Sequence, residues 1–465
     1  MPAGCASGGP ERPAPDIAAH TEGKIERMSV TTQRPGPPSN GAPPPQAQST
    51  TPPPRRVPAA RRRKAGATIG GLPVANLVVL EIGVAIGLVL LAINSSWLYV
   101  AAGVAGVALI LTFIRWNGRW FTQWVGLTVR YLFRSHSRVS SPAEAAAPVD
   151  EDGETKVIGA EDARVALLRL AVPDLVVAHT IDHERSPVGM AWQDGVWTAV
   201  LRVDVEPPLV APIGKAPNLP LGVLAPCLED RGVVLDSIRV LWHCYPGSAV
   251  LPPSSPALSS YMEVIGSLPT SARRTTLVAV RLDPRRCGAA IRERGGGVVG
   301  AHRALIGALS RVRSALESRG VTTRPLDSDE LLSTGIAISE LSGAVNAEGR
   351  VGLTEKWGGV TAAGVGHSSY SITGWPSGGV AAGLNTFTSI RALSTTVTLA
   401  ISPGGQDGQV GLRGLVRLSA RTPSELSRAE VRLEKLSDQL GFDVTPLRGL
   451  QSAALAATLP FGGWA

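Results

Sequence analysis

A few groups of residues in this chain have types and spacings that chemistry could use. Arg294-Gly295-Gly296-Gly297-Val298-Val299-Gly300 leads into a predicted helix, a place where backbone amides can hold a phosphate. The run fits neither GxGxxG nor GxxxxGK[ST], and no lysine follows it, so a nucleotide-hydrolysing P-loop is excluded and a structural turn is the better reading. Asp327-Ser328-Asp329 carries the letters of an acidic metal motif. It stands just before Glu330-Leu331, where capping of a helix by Ser or Asp explains it better. Asp283, in Arg281-Leu282-Asp283-Pro284, closes a predicted strand, where ligands of α/β sheets often sit, but no second acid accompanies it. His367 lies in Gly366-His367-Ser368-Ser369-Tyr370 and reads as a packing histidine inside a strand. No HExxH and no GxSxG occurs among the scattered histidines and serines. The residues therefore define no catalytic, cofactor-binding or metal-binding set, and the chain is read as a non-enzyme with no cofactor.

Cysteine usage agrees. Cys5, Cys227, Cys244 and Cys287 are widely spaced and form no CxxC pair, so neither a zinc site nor a disulfide framework is indicated. His243 precedes Cys244, but neighbours in a strand point to opposite faces.

The elements that must position these residues begin with a leader. Residues 1–70 are rich in Pro, Ala, Gly, Ser and Thr, with almost no bulky apolar side chain, and cannot bury enough surface to offset chain entropy. This stretch is expected to be disordered, and it lacks the succession of a signal peptide. Met28-Ser29-Val30-Thr31 offers a second natural start.

A transmembrane hairpin is expected over 72–114. Its two spans, 72–93 and 97–114, would be helices of roughly 33 and 27 Å at ~1.5 Å per residue, against a hydrocarbon core of about 30 Å. Asn94-Ser95-Ser96 leaves room only for a turn, and Trp97 and Tyr99 suit the far aromatic belt. Arg55, Arg56, Arg61, Arg62, Arg63 and Lys64 precede the first span, and Arg115, Arg119, Arg130, Arg134 and Arg138 follow the second. The net charge of +8 thus gathers beside the apolar stretch, which favours lipid headgroups over nucleic acid as its partner. By the positive-inside rule both termini lie in the cytoplasm, and the chain is a multi-pass inner-membrane protein. Glu81 is the one ionisable residue inside the first span; its depth matches the second span near Thr112.

Residues 115–135 are expected to form an amphipathic juxtamembrane helix. At ~100° per residue, Trp116, Trp120, Trp124, Leu127 and Tyr131 fall within about an 80° arc bordered by Arg115, Arg119 and Arg130. Such a stripe suits the membrane interface, with Trp116, Arg119, Trp120, Trp124, Arg130 and Tyr131 as its membrane-interface residues. Continuation of the second span into the cytoplasm is the competing reading. Residues 136–160 lose their periodicity and read as a linker.

Residues 161–465 form the expected cytoplasmic domain. Gly189 to Leu201 alternates around Asp194-Gly195 and reads as a β-hairpin. Residues 219–230 read as helix, Ser237–Trp242 and Thr275–Arg281 as strands, and about Gly300–Ser318 as a long helix. Thr395–Ile401 and Gly414–Ser419 read as further strands, and Thr422–Leu440 as a helix opened by Thr-Pro-Ser-Glu. Strands alternating with helices predict α/β architecture.

Several ordered motifs carry a resemblance. These are Arg274-Thr275 through Cys287, Arg294 to Gly297 with the following helix, and Glu355-Lys356-Trp357 ahead of His367 and Trp375-Pro376. Leu447-Arg448-Gly449-Leu450-Gln451 and Ala457 to Gly462 complete the series. With them the sequence resembles EccE, a membrane component of the mycobacterial and actinobacterial type VII (ESX) secretion system, over roughly the whole chain except the leader. The resemblance implies a non-catalytic structural subunit of an inner-membrane secretion complex. Its implied partners are an FtsK-like ATPase, a multispan subunit with a ubiquitin-like domain, a single-span periplasmic subunit and membrane lipids. Likeness of the soluble domain to glycosyltransferase-type folds is implied by the resemblance alone. The rival reading is a membrane-anchored glycosyltransferase-like enzyme with Asp327 and Asp329 as metal ligands and Asp283 on a ribose; a lipid-binding sensor is a third.

Overall fold

The computed structural model describes residues 68–69, 72–116, 119–141, 162–204, 219–246, 272–345, 349–404 and 409–463. The leader, apart from Thr68–Ile69, and most of the expected linker lie outside the described residues.

An apolar run without a polar stripe gives helix α1, Val74–Ile93, and after a short helical turn at Ser95–Trp97 the chain returns as α2, Leu98–Phe113. Small residues set their contact. A methyl added at Gly83 would collide with Ala108, and one at Gly87 would press on the Ala101 carbonyl, so the backbones approach closely. Asn76 is fully buried. Its amide donates to the Thr112 carbonyl at 2.7 Å, and its carbonyl oxygen accepts from the Thr122 hydroxyl. Asn76, not Glu81, is therefore the residue opposite Thr112; Glu81 is exposed on the outer side of α1.

The next helix starts later than expected. Arg115–Trp116 and Arg119–Trp120 pair as two short antiparallel strands, and α3 spans Phe121–Leu132. The Asn-Gly dipeptide at 117–118 disfavours helix, so Trp116 and Trp120 stand ahead of α3 and do not share its face with Trp124 and Tyr131.

A thirteen-stranded sheet forms the centre of the remaining domain. Its strands are β1 (Ser137–Ser140), β2 (Val176–Ile181), β3 (Pro187–Gln193), β4 (Val196–Val203), β5 (Ser237–Pro246), β6 (Ala272–Leu282) and β7 (Thr323–Pro325). They continue with β8 (Val351–Glu355), β9 (Val360–Ala362), β10 (Val365–Gly374), β11 (Ser394–Pro403), β12 (Val410–Ala420) and β13 (Asp443–Pro446). Neighbours run in the order β1-β8-β9-β10-β12-β11-β5-β6-β4-β3-β2, with β7 on β4 and β13 on β10. Every described pairing in this sheet is antiparallel.

The domain is thus an antiparallel, sheet-rich fold with helices, a strand direction that the expected α/β architecture had left open. Helices separate many strands in sequence, but sequence order does not fix strand direction. The first residues of the expected linker are also part of the sheet, because β1 pairs with Val351–Thr354. Residues 221–228 form a 3-10 helix that ends in a short strand, in place of the expected helix over 219–230.

Helices cover both faces. The first face carries Ile238, Val240, Trp242, Val278, Val280, Val397, Leu399 and Val416 beneath α6 (Gly297–Glu317) and α9 (Pro423–Leu440). On the second face, Leu241, Leu277, Ala279 and Leu353 lie beneath α4 (Ala163–Ala171), α7 (Ser328–Ile338), α10 (Gln451–Ala457) and the terminal Leu459 and Phe461. Two short helices complete the set, α5 (Gly288–Glu293) and α8 (Val380–Phe387).

Candidate functional site

The residues of greatest interest meet where α3 joins the sheet domain. Helix α3 turns at Phe133, and the chain enters β1 through Arg134 and His136. Trp124 and Tyr131, spaced seven residues apart on one face of α3, both meet Trp357, which follows β8. The Trp124 and Trp357 ring centres are 6.0 Å apart; Tyr131 meets Trp357 edge-on at 5.0 Å and His136 at 4.1 Å. Edge-on aromatic pairs of this kind add roughly 0.5–1.5 kcal/mol beyond their buried area.

An ion pair between half-buried Arg134 and buried Glu355 ties the same joint. Arg134 Nη2 lies 2.5 Å from Glu355 Oε2 and donates to the Gly449 carbonyl at 3.1 Å, while its guanidinium stands 5.8 Å from the centre of the Tyr131 ring. Glu355 is almost fully buried and also accepts from the Ser452 hydroxyl at 2.6 Å. Burial, reinforced by the Glu355 charge, pushes the Tyr131 phenol upward.

Gly449 adopts φ +70°, and a methyl there would come within 2.6 Å of the Trp357 ring, so glycine is required twice over. Its N–H donates to the Trp357 carbonyl at 2.8 Å. Gln451 completes the link by exchanging two hydrogen bonds with the backbone of Ser369. Glu355, Trp357 and Gly449 of these two motifs therefore all meet the α3 joint, while Leu447 and Gln451 tie their segment to Ser369 in the sheet.

A second polar constellation sits deeper on the same face of the sheet. Arg281 donates to the carbonyls of Phe461 at 3.1 Å and Gly462 at 2.7 Å, and Arg239 donates to Gly462 as well. Burial lowers the pKa of both arginines; for Arg239 the neighbouring Arg281 charge adds to the effect, while Asp236 opposes it in each. Register places His243, Thr396, Arg417 and Ser369 in one row across four strands. The His243 ring and Arg417 both bond the Thr396 hydroxyl, at 3.0 and 2.9 Å, and Arg417 also donates to the Ile338 carbonyl. Burial, then the Arg417 charge, lowers His243 to about 3; burial lowers Arg417 to about 10.

The residues considered from sequence fall as follows. Trp124 and Tyr131 join the α3 joint, whereas Arg130 is exposed on the last turn of α3. Trp120 precedes the helix, its N–H donating to the Gln123 side chain at 3.4 Å; the side chains of Trp116 and Arg119 lie outside the described residues. Asp283 caps the turn at Pro284–Arg286 and pairs with Arg285 at 3.0 Å. Asp327 caps α7 by accepting from the Glu330 N–H at 2.7 Å, and Asp329 pairs with Arg164 at 2.6 Å. These acids are some distance from being a metal set, and no group of three or more potential metal-ligating side chains occurs among the described residues.

His367 is buried with its Nδ1 2.9 Å from the Ser419 hydroxyl. Gly295, Gly296 and Gly297 all take positive φ, a turn that only glycine enters freely. Asn76 and Arg417 were not signalled by any motif. A lone amide in an apolar run, or a lone arginine in a strand, becomes conspicuous only when its burial is known.

Among the described residues, one helix is long and apolar enough to cross a membrane, over Asn76–Ile93, and Leu98–Phe113 is a shorter apolar helix. A family described as "Putative type VII ESX secretion system translocon, EccE" matches residues 270–372. That stretch runs from β6 into β10 and includes Glu355 and Trp357. The EccE resemblance is thereby supported by an independent match, which points to a component of a type VII secretion translocon. No curated protein matches the chain.

Proposed function

We propose that this chain is a non-catalytic structural subunit of an inner-membrane type VII secretion complex, anchored by the α1–α2 hairpin with both termini in the cytoplasm. The observation that carries the membrane reading is the outward display of α1 and α2. Val78, Ile82, Val84, Ile86, Leu88, Val89 and Ile93 are exposed, as are Leu98, Tyr99, Val107, Leu109, Ile110 and Phe113. A soluble protein buries such a surface; a lipid bilayer is the solvent that suits it. The family match supports the assignment to type VII secretion.

In this reading the domain boundaries follow the expected order of leader, hairpin, juxtamembrane segment and cytoplasmic domain. The partners are the ATPase, multispan and periplasmic subunits that the resemblance implies, together with membrane lipids. Trp116, Arg119, Trp120 and Arg130 meet the headgroup region, while Trp124 and Tyr131 hold the domain. The glycosyltransferase alternative finds no support in the positions of Asp283, Asp327 and Asp329.

Cysteine placed at Ser96 is expected to react with a membrane-impermeant reagent from outside the cytoplasmic membrane, and cysteine at Ser140 to remain protected. The opposite pattern would overturn the topology. Trp357→Ser is expected to leave the protein in the membrane but lower its recovery with the complex. Single Asp283→Asn, Asp327→Asn and Asp329→Asn variants should secrete within a few-fold of normal. One that assembles normally yet abolishes secretion would replace the structural reading with an enzymatic one.

A further inference from the structure

The two ends of the sheet are treated differently. At one end, β1 is only four residues long, carries Arg138, and is tied down by Arg138 donating to the Leu170 carbonyl at 2.9 Å and Ser140 to Ala166 at 3.0 Å. Short length, charge and side-chain ties are how an edge strand is protected from unwanted pairing.

At the other end lies β2, with the sequence Val176-Val177-Ala178-His179-Thr180-Ile181. It has no Lys, Arg, Asp, Glu or Pro, its residues are exposed or half-buried throughout, and Ile181 is 64% exposed. Among the described residues, no strand pairs with its outer side.

A cleft of about 610 Å³ opens beside this edge, with Thr180 and Ile181 on its wall. Its other lining groups include Arg294, Arg303, His183, His302 and Val299, and no carboxylate lines it. Arg294 and Arg303 each donate to a backbone carbonyl, those of Ala290 and Arg294, and neither makes an ion pair among the described residues. The nearby acids are engaged elsewhere. Asp182 accepts from the N–H groups of Glu184 and Ser186, both at 2.8 Å, and Glu184 pairs with Arg313 at 2.7 Å. An open strand edge thus adjoins a cationic cleft with apolar walls.

We propose that β2 and this cleft accept an extended acidic segment of another protein chain, which adds to the sheet as a further strand and places carboxylates against Arg294 and Arg303. Backbone hydrogen bonds would supply the adhesion, and the cleft would supply the choice of partner. A second copy of this chain fits less well. Its own β2 carries no carboxylate to set against Arg294 and Arg303, so pairing with a second copy would leave the cationic cleft unmatched. The inference concerns a surface separate from the α3 joint, and it stands whichever complex the chain serves.

The test uses the full chain in mild detergent and two short synthetic peptides of alternating Val and Thr, one flanked by Glu and one by Lys. The Glu peptide is expected to bind and to slow amide hydrogen exchange across Val176–Ile181, with the Lys peptide at least about tenfold weaker. Combining Arg294→Glu with Arg303→Glu should reverse that preference, and Ile181→Lys should weaken both peptides. Equal binding of the two peptides, absence of binding, or binding without protection of β2 would overturn the proposal. So would a concentration-dependent dimer of the parent chain that Ile181→Lys dissolves, since a second copy would then be the occupant.

Discussion

The two faces of the central sheet are built from the same strands but by different means. On the first, Ile238, Val240, Trp242, Val278, Val280 and Leu399 pack beneath α6 and α9 as an apolar core. On the second, the alternate residues of those strands include Arg239, His243, Arg281 and Arg417, buried just as completely beneath α7 and the C-terminal segment. The first face is held by area, which tolerates substitutions that keep volume and polarity. The second adds to its own apolar contacts directed donors that need particular carbonyls, so it defines which segments may cover it. That distinction teaches why the last residues of the chain matter: they supply the acceptors.

The largest expected effect follows from removing those acceptors. Truncation after Pro460 deletes Phe461, which is fully buried, and takes away the carbonyls bonded by Arg239 and Arg281. Loss of a buried aromatic ring costs about 3–5 kcal/mol. Leaving two buried guanidinium groups without these acceptors adds a further penalty of about 3 kcal/mol or more. Unfolding in denaturant should show a sheet domain largely unfolded without denaturant; a shortened chain with near-normal stability would mean that the C-terminal clasp is incidental.

Next in size is a direct contrast between the faces. Trp242→Ala empties a large, almost fully buried site on the first face and should cost about 3–5 kcal/mol. Arg417→Met on the second face removes two hydrogen bonds but also removes a desolvated charge, and these effects largely offset, leaving a change within about 2 kcal/mol. Equal losses in denaturant titrations would erase the distinction between an area-held and a donor-held face.

Much of the first face was legible from sequence. The apolar runs that predicted Ser237–Trp242 and Thr275–Arg281 sit inside β5 and β6, and the periodic segment from about Gly300 to Ser318 corresponds to α6. Thr422 caps α9 as its start signal required, accepting from the Glu425 N–H at 3.3 Å. Asp194 and Gly195, both at positive φ, form the turn between β3 and β4 that the Asp-Gly pair implied.

The second face was not legible. An arginine or histidine among the alternate residues of a strand has the pattern of a half-exposed strand, and only the covering helices make it buried. Strand β1 was hidden in the expected linker because its place depends on pairing with residues more than two hundred positions away. The partner of Trp124 and Tyr131 was hidden for the same reason, since nothing local links α3 to Trp357.

Protonation gives a smaller effect, and on the second face it runs through buried histidines. His243 is held neutral, with its pKa depressed to about 3 by burial and by Arg417, and His367 is depressed by the same two causes. A histidine depressed in the folded state contributes stability that is present above its unfolded pKa of about 6.5 and is lost as pH falls toward the folded value. Between pH 6.5 and 5, His243 alone should withdraw about 1.5–2 kcal/mol. Glu340 acts in the opposite sense, because burial raises its carboxyl and the folded chain takes up that proton more readily. His243→Gln should therefore flatten the stability profile between about pH 6.5 and 5 in thermal melts. An unchanged slope would place the titration elsewhere.

The smallest effect concerns how the second face balances its charge. Glu340 follows the end of α7 at φ +59°, a left-handed position that glycine usually takes, and its carboxylate stands 3.8 Å from the His243 ring with Arg417 as a favourable charge. Glycine at this site should relieve roughly 1 kcal/mol of backbone strain. It would also strip the buried guanidinium of its nearby carboxylate. The two consequences separate in a double-mutant cycle. Alone, Glu340→Gly should be neutral or destabilising, because relief of strain is offset by an uncompensated Arg417. In the Arg417→Met background no charge remains to compensate, and the same substitution should stabilise by roughly 0.5–1 kcal/mol. A gain of equal size in both backgrounds would show that Glu340 does not compensate Arg417, and that the donors of the second face rely on carbonyls and hydroxyls alone.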